Sequence, residues 1–150
     1  MTLPSPISAQ QWYELTQRLL PELTLPNFSP QSILFLLCED LAHAADSAHE
    51  PPSNKDFLHR LYGIIRWTIH HTEDSQLQGW IADWFFDNLL DLPHAQKACL
   101  DYLNWDDVEI ILASYTSEPL FDDEENFEKL CVEWKRRKET GETIPAVTEL

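Results

Sequence analysis

DSQLQGWIADWFFDNLL, residues Asp74 to Leu90, is the stretch that decides the fold class. Leu77, Trp80, Ile81, Trp84, Phe85, Asn88 and Leu89 recur at the three- and four-residue spacing that lines up side chains on one face of an α-helix. Asp74 or Ser75 supplies an N-cap, a short oxygen-bearing side chain for the first free backbone N–H groups. With the stripe turned inward, a step of about 100° per residue carries Phe86 and Leu90 to the far side, beside Asp83 and Asp87. Such a helix either lies sandwiched between two others or exposes an aromatic ring flanked by carboxylates.

The pattern extends outward on both sides. Leu58, Leu61, Ile65 and Ile69 give a preceding helix three, capped by Ser53 or Asn54 and ending near His71. The Pro51-Pro52 linker separates it from helix two, which opens on Ser29-Pro30 as N-cap and first helical residue and runs to about Ser47. Its apolar residues point in nearly every direction, which marks it as the most buried element. Helix one runs from Ser8 to about Leu20, where Pro21 stops it. Downstream, Pro93 fits the first turn of a short helix five through Tyr102, and Asn104 can cap helix six with Asp106 and Asp107 in its first turn. Helix seven spans Asp122 to about Lys138, acids first and bases last, in the order the helix dipole favours. No segment alternates over strand length, and three glycines are few for a turn-rich β domain. The expectation is an all-α protein: a single compact bundle of about seven helices in roughly orthogonal packing. One domain covers 1–138, and a polar tail, 139–150, reads as flexible.

A chain of 150 residues is long enough to bury a sizeable core, and 43% hydrophobic residues with six Trp are too many for disorder despite the net charge of −16. No window is apolar enough for a membrane span, and Met1 to Gln17 has neither Lys nor Arg, unlike a signal peptide, so a cytoplasmic protein is expected. Cys38, Cys99 and Cys131 are odd in number and widely spaced, which reads as free thiols rather than a zinc or redox motif.

Fifteen of the 26 acidic residues fall between Trp67 and Glu128, where Lys97 is the only Lys or Arg. A field of that sign attracts a basic protein partner and repels phosphate backbones and anionic membranes. Neither direct nucleic-acid binding nor a membrane partner is therefore expected. The one basic cluster, Lys135 to Lys138, closes a helix that starts acidic. The excess is far beyond the net charge magnitude of about 2–8 that solubility needs. The run Glu118 to Glu128 also places six acids in eleven residues, a row able to imitate phosphates, although capping accounts for part of it. The candidate partner-binding residues are Asp83, Phe86, Asp87, Asp91, Asp106, Asp107, Asp122, Asp123 and Glu124, with Phe86 as the exposed anchor inside a ring of carboxylates.

No nucleophile elbow, phosphate loop, dinucleotide fingerprint or metalloprotease helix occurs, so no catalytic residue and no cofactor is assigned. Asp40 with His43 and Asp56 with His59 share the three-residue spacing of helical metal ligands, but Asp has a short reach and no inward glutamates complete a set, so no metal is assigned.

About residues 57–117 resemble a bacterial family of small helical domains of unknown function, some of whose members occur beside toxin genes as candidate immunity proteins. The likeness rests on Phe57-Leu58 opening a long apolar helix, the acidic break Glu73-Asp74, the ending Phe85-Phe86-Asp87-Asn88-Leu89 and the short amphipathic helix Asp106 to Tyr115. The chain departs from that pattern in its acidic helix seven and its Pro-rich linker. The resemblance transfers no catalytic residue and implies an immunity or inhibitor role. The alternative is a structural or regulatory subunit that associates through Phe86, Leu90 and Trp105.

Overall fold

Helix α2, Pro30–His49, occupies the centre and packs against the helices Ala9–Leu19 and Lys55–His71 and the helical run of residues 75–89. The structure is a computed structural model, and it describes residues 9–23, 30–116 and 121–150. The expected caps Ser8 and Ser29 and the acid Glu118 lie outside the described residues. On α2, Leu37, Cys38, Leu41, Ala42 and Ala45 are buried along one face, while Leu36, Asp40, His43 and Ser47 are exposed on the other, so the burial in nearly every direction expected of its apolar run is not found among the described side chains.

Helix α1, Ala9–Leu19, stops before Pro21 and lays Trp12, Tyr13, Leu15 and Thr16 into the core. The Trp12 indole N–H donates to Thr68 Oγ1 at 2.6 Å, which satisfies the one polar atom of a fully buried ring. Helix α3, Lys55–His71, starts where Asn54 Oδ1 accepts from the Phe57 N–H at 3.3 Å and buries Leu58, Leu61, Ile65 and Ile69, the stripe expected of it.

Helix α4, Ser75–Trp80, is capped by Asp74, whose Oδ1 accepts from the N–H groups of Gln76 and Leu77 at 3.0 and 3.2 Å. It continues without a break through a π-helical segment, Ile81–Phe86, into α5, Asp87–Leu89. Helix α6, Ala95–Ala98, ends in a 3₁₀ turn, Cys99–Asp101, and is followed by α7, Trp105–Ala113, and α8, Glu124–Thr140. Counting α4 to α5 as one run and α6 with its 3₁₀ turn as another, there are seven helical stretches and no strand among the described residues. The all-α single bundle is the fold.

The C-terminal end departs from its expected looseness. Helix α8 closes on Gly141, whose φ of 77° lies in the left-handed region that a glycine C-cap adopts without strain. Residues 143–150 then return over α3 and the start of α7. Asn104 holds Ile144 from both sides, its Nδ2–H donating to the Ile144 carbonyl and its Oδ1 accepting from the Ile144 N–H, each at 2.8 Å. Those hydrogen bonds and the packing of Val147 and Leu150 on the core convert a polar-looking tail into a strap.

Candidate functional site

The chain's cations are not spread evenly among its carboxylates. Arg60 pairs with Glu22 and Asp56. On α8, Arg136 takes Glu133 and Glu142, Arg137 takes Asp101 and Glu133, and Lys138 takes Asp106 at 2.6 Å. Lys135 lies over the Trp105 ring, 4.8 Å from its centroid. The basic end of α8 is thus engaged within the molecule and presents little free cation to a phosphate backbone.

Among the carboxylates outside this pairing, four form a group. Asp83 in the π-helical segment, Asp87 and Asp91 beyond it, and Asp122 just before α8 interact with one another electrostatically and, among the described residues, pair with no Lys, Arg or His. Asp83 is fixed by the backbone N–H and hydroxyl of Thr116, both of which donate to its carboxylate. Asp87 is half-buried. That burial, followed by the charges of Asp91, Asp83 and Asp122, pushes its carboxyl up to about 6. Burial and the Asp122 charge also raise Asp91. The Tyr115 hydroxyl sits against this group, and burial plus the three α4-side aspartates push it well up. Tyr115 Oη and Asp87 Oδ1 are each buried without a hydrogen bond of ordinary geometry, although each lies near enough to shift the other's protonation.

A carboxyl raised in the folded state binds its proton more tightly there than in the unfolded chain. The stability it contributes is fully present below the ordinary aspartate range, about 4, and is lost as pH rises through about 6. Asp87→Asn is therefore expected to stabilise the fold at pH 7.5, by about 1 kcal/mol after solvent screening of a half-buried group. It should also flatten the gain in stability between pH 7 and pH 5. Thermal melts of both proteins at the two pH values measure this, and parallel pH profiles would contradict it.

The exposed aromatic beside these carboxylates is Trp84, not Phe86. Phe86 is fully buried, with Phe121, Phe127 and Trp134 around it at centroid distances of 6.4, 6.4 and 6.3 Å. Trp84 is 37% exposed. The reason is the π-helical segment, whose wider turn re-phases the face. Buried pairs recur every four residues, Ile81-Ala82, Phe85-Phe86 and Leu89-Leu90, and the helix is sandwiched on both sides. The signal was in the sequence: apolar doublets at a strict spacing of four outlast the 3.6-residue turn of an α-helix. With Phe86 and Leu90 inside, the apolar interface expected to use them has lost two of its three residues.

Two further expected contact residues lie elsewhere. Asp107 is 1% exposed and forms the centre of a buried network. It accepts from Arg66 Nε at 2.9 Å, His70 Nε2 at 2.7 Å and the Asn104 backbone N–H at 2.7 Å. Its place at the third position of α7 gives it that capping contact, while the Asn104 side chain is turned to Ile144. Asp106 is exposed but bound to Lys138. Asp123 is exposed and caps α8, accepting from the Asn126 N–H at 3.0 Å, and Glu124 is exposed in the first turn of α8.

Arg66, His70 and Asp107 line a cleft of about 570 Å³ closed on one side by the C-terminal strap. Among the described residues, no three His, Cys, Asp or Glu side chains are grouped to hold a metal ion: Asp56 serves Arg60, and His43 lies 4.0 Å from Glu39. Cys38 and Cys99 are buried, which pushes the Cys99 thiol up to about 12 and raises Cys38 as well, and Cys131 is half-buried. No described helix is long and apolar enough to cross a membrane. Comparison with known protein families, curated proteins and solved structures finds nothing that matches this chain.

Proposed function

We propose that this is a small acidic binding protein of the immunity or inhibitor type, which acts by occluding a basic protein partner and not by catalysis. The observation that carries the reading is the grouping of four carboxylates that have no cation among them, Asp83, Asp87, Asp91 and Asp122, beside the exposed ring of Trp84. Burial and, after it, the repulsion of these like charges raise the pKa of Asp87, and a basic partner would offset the repulsion by supplying Lys or Arg. Trp84 takes over the anchor role expected of Phe86, because a large aromatic within a charged rim is the usual composition of a binding hot spot. Asp123 and Glu124 extend the rim from the start of α8. The resemblance of residues 57–117 to a family of small helical domains of unknown function, some of whose members are candidate immunity proteins, is in keeping with this reading, and the acid row suits a nuclease or another protein that handles nucleic acid.

The mechanism follows from the charges. The acidic face raises the encounter rate, Trp84 docks, and the carboxylates fix the orientation. Binding is therefore expected to weaken with salt, and to weaken again as pH falls through about 6, where Asp87 takes up a proton. Trp84→Ala should weaken binding by about thirtyfold or more, equivalent to a hot-spot loss of about 2 kcal/mol. Asp91→Lys with Asp122→Lys should slow association most at low salt.

The deciding experiment is a pull-down from the native cell's lysate with mass spectrometry at about 0.1 and about 0.5 M salt, repeated with Trp84→Ala. A basic protein held at low salt and lost with Trp84→Ala supports the assignment. A partner held equally at both salts and by both proteins would refute it in favour of a subunit that uses an apolar interface.

A further inference from the structure

We infer that the groove between α3 and the start of α7 is a binding site for a peptide segment of a partner protein, with residues 143–150 of this chain as its resident competitor. The polar contacts of the groove go to main-chain atoms of the strap. Asn104 holds the N–H and carbonyl of Ile144, and Arg66 Nη1 donates to the Pro145 carbonyl at 3.2 Å. Main-chain recognition does not depend on which residues the segment carries, so another segment would be held in the same way.

The side-chain contacts add a pattern. Ile144, Val147 and Leu150 are half-buried, while Thr143, Pro145, Ala146, Thr148 and Glu149 are exposed. A burial period of three is that of a polyproline II segment, a conformation with no internal hydrogen bonds that a protein groove can read along its length. Leu150 lies over Gly63, where a Cβ would stand in ordinary contact at 3.9 Å from Leu150 Cδ2.

The groove is larger than its occupant. The cleft of about 570 Å³ remains beside Ala146 and Thr148, with a second space of about 130 Å³ near Tyr62 and Tyr102. His70 lines the larger one. Its Nε2 is committed to Asp107, and Nδ1 makes no hydrogen bond within the described residues. The segment that fits best has an apolar residue at every third position, proline after the first, and a hydroxyl or amide side chain in place of Ala146 or Thr148 that reaches His70 Nδ1. The strap holds the groove against such a segment by its tether, since a short connection from Gly141 gives it a high effective concentration.

The test uses the full chain and a fluorescein-labelled peptide of residues 143–150, read by anisotropy. Ile144→Asp with Val147→Asp, which weakens the resident strap, should bind the peptide at least tenfold tighter than the wild-type chain, and adding Asn104→Ala should abolish that gain. Equal binding by wild type and the double variant, or a gain that survives Asn104→Ala, would overturn the proposal. Should circular dichroism show the double variant unfolded, the wild-type chain still decides. Excess peptide should speed hydrogen exchange at the Ile144 amide several-fold, and an unchanged rate would overturn the proposal. A concentration-dependent wild-type dimer that exchanges straps would also overturn it, assigning the groove to a second copy of the chain.

Discussion

Asp107→Ala is expected to lower the stability of the fold by about 3–5 kcal/mol, a fall in melting temperature on the order of 10 °C for a domain of this size. The size of the effect follows from what the substitution leaves behind. Arg66, buried with Asp107, loses its carboxylate partner. The Asn104 N–H and His70 Nε2 lose their acceptor in the same step. Replacing both members of the pair, Asp107→Leu with Arg66→Met, should recover most of the loss, because an apolar pair of similar volume needs no partner. Denaturant unfolding of the three proteins measures this. A loss below about 1 kcal/mol for Asp107→Ala would mean that water reaches the network.

Phe86→Ala is expected to cost about 3–5 kcal/mol, the usual range for removing a fully buried phenylalanine and leaving a cavity. Trp84→Ala, two residues away, should cost under about 1 kcal/mol while removing the proposed anchor. A straight α-helix predicts the reverse order, so the pair tests the π-helical phase directly. Equilibrium unfolding gives the stabilities, and partner capture gives the function. If Trp84→Ala proved the more destabilising of the two, the assigned binding face would lie on the wrong side of the helix.

The helices were legible because their ends are written in local chemistry. Pro21 halts α1, Asn54 and Asp74 cap α3 and α4, and Asp123 caps α8, each through contacts that span three residues or fewer. The phase of one helix was not legible from an average turn. A single wider turn at Ile81–Phe86 exchanges Trp84 for Phe86, an error invisible to a template with a fixed angle. Asp107 was misplaced for a different reason. Its type and position suit a solvated first turn, and only the arrival of Arg66 from α3, 41 residues earlier, makes burial of its charge tolerable. The strap escaped notice because its partner atoms belong to Asn104, 40 positions away. Of the acidic candidates, the structure brings Asp83, Asp87, Asp91 and Asp122 together and sends Asp106 and Asp107 to Lys138 and Arg66.

The three thiols give this protein an internal record of its own opening. Only a thiolate attacks a labelling reagent, so Cys38 on α2 and Cys99 in the 3₁₀ turn stay silent while burial holds their protons on. They react only during excursions that bring water to them, and the half-buried Cys131 on α8 meets solvent sooner. The order in which the two buried thiols, Cys38 and Cys99, label therefore reports which of their segments loosens first. A partner seated on the acidic face would reveal itself by slowing that sequence, even in the absence of a measured complex.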